Sequence, residues 1–206
     1  MAPATDRPRI VLASTSRYRR ELLARLGLPF AAEAPNVAET ELAGEMPGAM
    51  AARLALAKAR SIRSPHALVI GSDQVAALDG RILRKPGAED VAVGQLLDCQ
   101  GRTVVFYTAV AVVATDSGRV AEHVDRTEVR FRRLERAALE RYVRLEQPLD
   151  CAGSFKSEGL GVVLFEEIVS RDPTALIGLP LIAVAQALRS LGADPLEPAS
   201  PSPRAP

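Results

Sequence analysis

Short apolar runs and stretches of helical spacing alternate along this chain, and the fold class they predict is α/β. Three observations carry the prediction. Residues 9–13 and 68–70 are apolar runs of strand length, while 17–26 sets Leu22, Leu23 and Leu26 on one helical face. Asp79-Gly80 reads as a two-residue hairpin turn, because both positions tolerate the positive φ of a type I′ turn. With 206 residues the chain is long enough for one sizeable core, with room for two small lobes.

In order, the first strand, 9–13, runs into Ser14-Thr15-Ser16, and the helix over 17–26 stops at Gly27 and Pro29. Ser14 or Ser16 is its N-cap. Arg17, Arg19 and Arg20 crowd a first turn whose dipole is already positive. The crowding makes sense if an anion binds there on free backbone N–H groups; the alternative is three arginines facing solvent. Residues 31–47 read as a loop, with Pro35, Asn36, Gly44 and Pro47. Its Glu33, Glu39, Glu41 and Glu45 are either plain surface or holders of a divalent cation. A helix follows over 48–62. Met50, Leu54, Lys58 and Ile62 are spaced by four, which puts Lys58 on the apolar stripe, its ammonium directed into a cleft.

The run 68–70 ends as a strand, Gly71-Ser72 breaks it, and Asp73 stands where the chain leaves the core. After the 79–80 turn, 81–83 returns and delivers Lys85, and Pro86 ends the arm. On this stretch alone, the alternative is that Asp73 caps a turn and Lys85 is a solvated charge. A helix over 87–100 opens on Glu89 and Asp90. Residues 103–115 and 120–132 form a long hairpin around Asp116-Ser117-Gly118. The patchy alternation of TVVFYTAVAVVAT predicts a first arm buried on both faces. An amphipathic helix over 134–146, a glycine-bracketed loop at 153–159 that presents Lys156 beside Glu158, a strand over 160–168 and a closing helix over 180–191 complete the domain, 9–194. Residues 1–8 and the proline-rich tail 195–206 are expected to be disordered.

Composition narrows the function. A net charge of +1 supplies no field for nucleic acid or an acidic membrane, and 4% aromatics without Trp leave little to stack bases on. Cys99 and Cys151 lack the spacing of a zinc site or disulfide framework, so reduced, partly buried thiols are expected. No signal-peptide core and no bilayer-spanning run is present, which points to the cytoplasm. His66 and His123 read as surface or packing residues, and neither a GxxxxGK nor a GxGxxG loop occurs. Lysine stands only at 58, 85 and 156, against 23 arginines. Where the chain keeps lysine, a compact ammonium is called for that a planar guanidinium cannot replace.

A helix start with Ser14, Ser16 and Arg19, an inward Lys58, Asp73 and Lys85, and a later loop with Lys156 and Glu158 together fit a polyphosphate site. The carboxylate would serve as base or metal ligand. Phosphoryl chemistry needs positioning and charge neutralisation more than a covalent nucleophile.

The segments LASTSRYRRELL, LAKA, IGSDQ, KPG, FYTAVAV, CAGSFKSEG and GLPL, taken in this order and spacing, resemble the Maf family of nucleotide pyrophosphatases, and more narrowly its branch acting on 7-methyl-GTP. The resemblance covers residues 9–192. It implies an elongated mixed sheet flanked by helices, a cleft between two lobes, often a homodimer, and hydrolysis of a modified nucleoside triphosphate to monophosphate and pyrophosphate with magnesium or manganese. By motif, Asp73 matches the family's proton acceptor, Arg19, Lys58 and Lys85 its phosphate-contacting residues, and Ser14 its N-terminal serine. Glu39 fits the acidic loop position, a metal ligand, although Ala38 stands where an Asp usually precedes it. Tyr18, Gln74 and Glu158 carry the branch assignment. A carboxylate at 158 can accept the N–H donors of a guanine edge, and an aromatic ring favours the cationic methylated base. The alternatives are a dTTP/UTP or general non-standard nucleotide pyrophosphatase, and a nucleotide-binding cell-division regulator.

Overall fold

Two parallel strands begin the sheet, and antiparallel strands extend it. The computed structural model describes residues 7–197; most of both expected disordered ends, 1–6 and 198–206, lies outside the described residues. The strands are β1 (Arg9–Ala13), β2 (Phe30–Glu33), β3 (Ala67–Leu78), β4 (Arg81–Leu83), β5 (Thr103–Ala114), β6 (Val120–Phe131) and β7 (Phe165–Val169). The helices are α1 (Arg17–Ala24), α2 (Pro47–Ser61), α3 (Glu89–Cys99), α4 (Arg136–Glu146) and α5 (Leu181–Ser190). The sheet order is β2-β1-β3-β5-β6-β7, with β4 pairing β3 from the side. β1 runs parallel to β2 and β3, and every other pairing is antiparallel. This is the expected mixed α/β sheet flanked by helices. Among the described residues no helix is long and apolar enough to cross a membrane.

The period of two along each strand sorts the core. Ile10, Leu12, Leu68 and Ile70 pack with Leu22, Leu23, Val184 and Leu188 under α1 and α5. Val11, Ala13 and Val69 turn the other way, onto Ala51, Ala55 and Ala59 of α2. Farther along the sheet, Ala76, Leu78 and Phe106 join Leu96 of α3, Leu139 and Tyr142 of α4, and the ring cluster of Phe131, Phe155 and Phe165. Those rings meet edge-to-face with centroids 4.7 to 5.6 Å apart.

Local signals hold where their cause is local. Asp79 and Gly80 have φ of 49° and 82°, as a type I′ turn requires. Ser16 caps α1 by accepting the Arg19 N–H. Three expectations fail. Gly71-Ser72 does not end a strand, because β3 continues unbroken to Leu78. A Cβ at 71 would run into the Ala55 carbonyl and the Ala59 amide, so glycine is there to let α2 lie against the sheet. Residues 31–47 are not all loop, since β2 pairs alongside β1. Residues 160–164 form a 3-10 helix and only 165–169 is strand. The Gly161 N–H bonds back to the Lys156 carbonyl, closing a turn that an extended chain could not make.

One register feature positions the site. β1 pairs β3 only as far as Ala13 opposite Gly71, and β4 begins pairing at Ala76. Among the described residues, no strand pairs with 72–75 of β3 on that edge. A crevice opens there beyond the carboxyl end of β1, the place where open α/β sheets receive ligands.

Candidate active site

The crevice is a cleft of about 940 Å³, and it contains every site residue anticipated from the sequence. Ser14 reaches it from the β1–α1 turn, Tyr18 and Arg19 from the first turn of α1, and Lys58 from α2. Asp73 and Gln74 come from the bare stretch of β3, Lys85 from the segment after β4, Glu39 from the loop before α2, and Glu158 from the loop after α4.

Asp73 and Lys58 form its centre. Both are buried, at 7% and 5% exposure. The Lys58 ammonium donates to Asp73 Oδ1 at 2.6 Å and pairs with Glu39 Oε1 at 2.5 Å, so one cation holds two carboxylates. A buried ammonium needs such partners, because removing it from water unpaired costs several kcal/mol, on the order of what a whole domain's stability amounts to. Burial raises the Asp73 pKa above the ordinary aspartate value; Lys58 and Arg19 oppose this, and Glu39 adds to it. For Glu39, burial opposes ionisation, but Lys58, with Lys85 and Arg19, outweighs it and holds the pKa low. Burial lowers the Arg19 pKa while Asp73 and Glu39 pull it back. The cleft therefore sets one proton-retentive carboxylate among three cations.

Other placements are more specific than the sequence suggested. Ser14 is buried and its Oγ accepts the Ser16 N–H at 3.1 Å. The Arg17 guanidinium lies 4.8 Å over the Tyr18 ring, so one ring face is already occupied by a cation. Gln74 spends its amide nitrogen on Thr108 Oγ1 and on the carbonyls of Ala175 and Leu176. Glu158 is exposed and accepts only from Ser157 Oγ, with no cation paired to it among the described residues. Lys156 lines the cleft, yet its ammonium bonds the Glu146 and Gln147 carbonyls at the end of α4. It acts as a C-terminal helix cap and does not join the phosphate-facing cations. Burial pushes the Cys151 thiol up to about 12, with Asp150 and Glu158 adding to the shift, so it stays protonated and unreactive at neutral pH.

The sequence reading missed Ser72, Thr108 and Gly178. The Gly178 carbonyl accepts both Arg19 Nε at 2.8 Å and Ser72 Oγ at 2.9 Å. Nothing local announces partners about a hundred residues apart. For a divalent cation, no cluster of three or more His, Cys, Asp or Glu able to hold one exists among the described residues. Glu39 and Asp73 nevertheless converge on a single point, Lys58 Nζ. Two hard carboxylates beside a polyphosphate's own oxygens are a donor set that suits magnesium or manganese.

The family model described as Maf-like protein matches residues 9–191. A protein of Polaromonas sp. strain JS666 named 7-methyl-GTP pyrophosphatase is 56% identical over 190 residues, covering 91% of this chain and 86% of that protein. Proteins of the same name from Xanthomonas campestris pv. campestris strain 8004 and from Albidiferax ferrireducens are 55% and 50% identical, over 90% and 89% of this chain and 97% and 94% of their own lengths. With residues 9–191 matched by the family model and relatives 50–56% identical over about nine-tenths of its length, this chain belongs to the Maf family.

Proposed function

We propose that this protein is a nucleoside triphosphate pyrophosphatase that hydrolyses 7-methyl-GTP to 7-methyl-GMP and pyrophosphate. The observation that carries the chemistry is the buried Asp73 carboxylate, its proton affinity raised, set among Lys58, Arg19 and Lys85 in an open cleft. The kinship with proteins of that name carries the substrate.

In this reading the triphosphate lies along the cationic wall, held by Arg19, Lys58 and Lys85 and by the N–H groups at the start of α1. Asp73 orients a water toward the α-phosphorus and accepts its proton as the new P–O bond forms. The bond from the α-phosphorus to the bridging oxygen breaks, and pyrophosphate leaves with the electron pair. Lys58, on release from its carboxylates, follows the charge that builds on the phosphates. Glu39, with the triphosphate's own oxygens, would hold a magnesium or manganese ion, which when bound neutralises phosphate charge. Tyr18 and Glu158 address the base, the ring through its face and the carboxylate through the guanine N–H edge. The same reading puts the enzyme in the cytoplasm, acting on free nucleotides and not on a nucleic acid polymer or membrane, as the homodimer that the resemblance implies.

The test is product analysis by chromatography with 7-methyl-GTP, GTP, UTP, dTTP and CTP, with magnesium or manganese. The expected result is 7-methyl-GMP and pyrophosphate, fastest for the methylated base. Asp73→Asn should lose roughly 10²–10⁴-fold in rate, the usual weight of a general base. Turnover led by UTP or dTTP would discard the base assignment and keep the chemistry. Binding without turnover would leave a nucleotide-binding regulator.

A further inference from the structure

We propose that the turn at 175–178 is a positioning device for the Arg19 guanidinium, held by Ser72, Gln74 and Thr108. The kinetic half of the inference rests on the pyrophosphatase reading; the binding half stands without it.

Arg19 is anchored through one nitrogen. Its Nε donates to the Gly178 carbonyl at 2.8 Å, and Ser72 Oγ lies 2.9 Å from the same oxygen, its one hydrogen shared with the Ala109 carbonyl at 2.8 Å. Nη1 and Nη2 make no hydrogen bond or ion pair within the described residues, and the side chain lines the cleft. A guanidinium tethered at Nε presents its remaining donors as a fork of set direction, which matches two oxygens of one phosphate. Prior ordering also removes the rotamer entropy that a loose arginine would lose on binding.

Gly178 has φ 125° and ψ 5°, a conformation that L side chains rarely adopt. Such a backbone persists only if its surroundings hold it. The holders are on the sheet. Thr108 Oγ1 donates to the Ala175 carbonyl at 3.0 Å. Gln74 Nε2 reaches the carbonyls of Ala175 at 3.1 Å and Leu176 at 3.0 Å, and Thr108 Oγ1 at 2.9 Å. Residues 72 and 74 share one face of β3 by the strand period, and Thr108 stands opposite Gln74 in the β3–β5 register. The two Gln74 amide hydrogens are shared among these three acceptors, which ties the side chain to the turn. A central strand pair thus grips the turn, and the turn aims Arg19.

A double-mutant cycle tests this. Affinity for inorganic tripolyphosphate is measured by calorimetry, and kcat/KM for 7-methyl-GTP and GTP in parallel, on wild type, Arg19→Ala, Gly178→Ala and the double variant. Gly178→Ala should weaken tripolyphosphate binding and kcat/KM by about 10- to 100-fold, as misplacement of a positioned group does. In the Arg19→Ala background the same change should cost less than about twofold, because the two residues act as one unit. Gln74→Met, which keeps the length but cannot donate to the turn, should weaken tripolyphosphate binding in the wild type and by less than about twofold in the Arg19→Ala background. An equal loss from Gly178→Ala with and without Arg19 would overturn the inference. So would an equal loss from Gln74→Met in the two backgrounds. If Gly178→Ala does not fold, Ser72→Ala replaces it in the cycle. If wild type binds tripolyphosphate but hydrolyses no nucleotide, the pyrophosphatase reading fails and the binding cycle still decides the role of the turn.

Discussion

Lys58 stands between two carboxylates, and that placement governs how Asp73 titrates. Burial pushes the Asp73 pKa up and the Lys58 charge is the largest opposing influence. A general base must be ionised, so activity is lost as pH falls through its pKa. The acid limb of kcat/KM against pH is therefore expected above the ordinary aspartate value of 3.8. Lys58→Met keeps the chain length and removes the cation, which should move the limb further up as well as slow the reaction. An unmoved or lowered limb would mean that some other group accepts the proton. The sequence placed Lys58 on the apolar stripe of its helix, and that much was legible because helical spacing is local. That one ammonium holds both Asp73 and Glu39 was not, since the three residues come from a helix, a strand and a loop.

At the scale of elements, β3 is the piece on which helix, turn and cleft all depend. Its Gly71 lies under α2, where any Cβ meets backbone atoms of Ala55 and Ala59 that cannot move without moving the helix. Gly71→Ala should cost about 3 kcal/mol or more, the upper range for overpacking a tight contact. Urea denaturation would show this as a lowered midpoint at unchanged slope. A loss below about 1 kcal/mol would mean that α2 can shift. The same contact explains why a glycine followed by a serine misled the sequence reading. Gly71 is demanded by a helix packed across the strand, and Ser72 is satisfied by Ala109 and Gly178 carbonyls from elsewhere. Local rules read both as punctuation.

For the molecule as a whole, the cleft is a gap in a sheet with unlike walls. Arg19, Lys58 and Lys85 line it, while the loop after α4 brings Glu158 from another element, with no cation paired to it among the described residues. That loop is fastened by Phe155 in the ring cluster, by Tyr142 accepting the Lys156 N–H at 3.1 Å, and by Glu146 accepting the Leu160 N–H at 2.6 Å. If the walls divide the labour, Glu158→Gln should reduce the 7-methyl-GTP to GTP ratio of kcat/KM by about tenfold, the value of one recognition contact. The rate on GTP should change less than that. A uniform loss across all bases would show that Glu158 does not read the base.

By itself, the sequence determined what short-range physics decides. The Asp79-Gly80 turn follows from tolerated φ, the helices from their apolar spacing, and the two-faced burial of β5 over 108–113 from the patchy alternation of its sequence. The ordered motifs also brought nine residues together on paper that do line one cleft. Tertiary structure alone decided that β3 runs through Gly71, that 160–164 closes as a 3-10 helix, and that Lys156 turns its ammonium to the end of α4. It also decided that Gln74 and Ser72 grip a turn about a hundred residues away. The reason is one of range. Propensity and periodicity act over a few residues, whereas these outcomes are set by which carbonyls remain unpaired when distant segments meet, and no residue carries that information until the chain has folded.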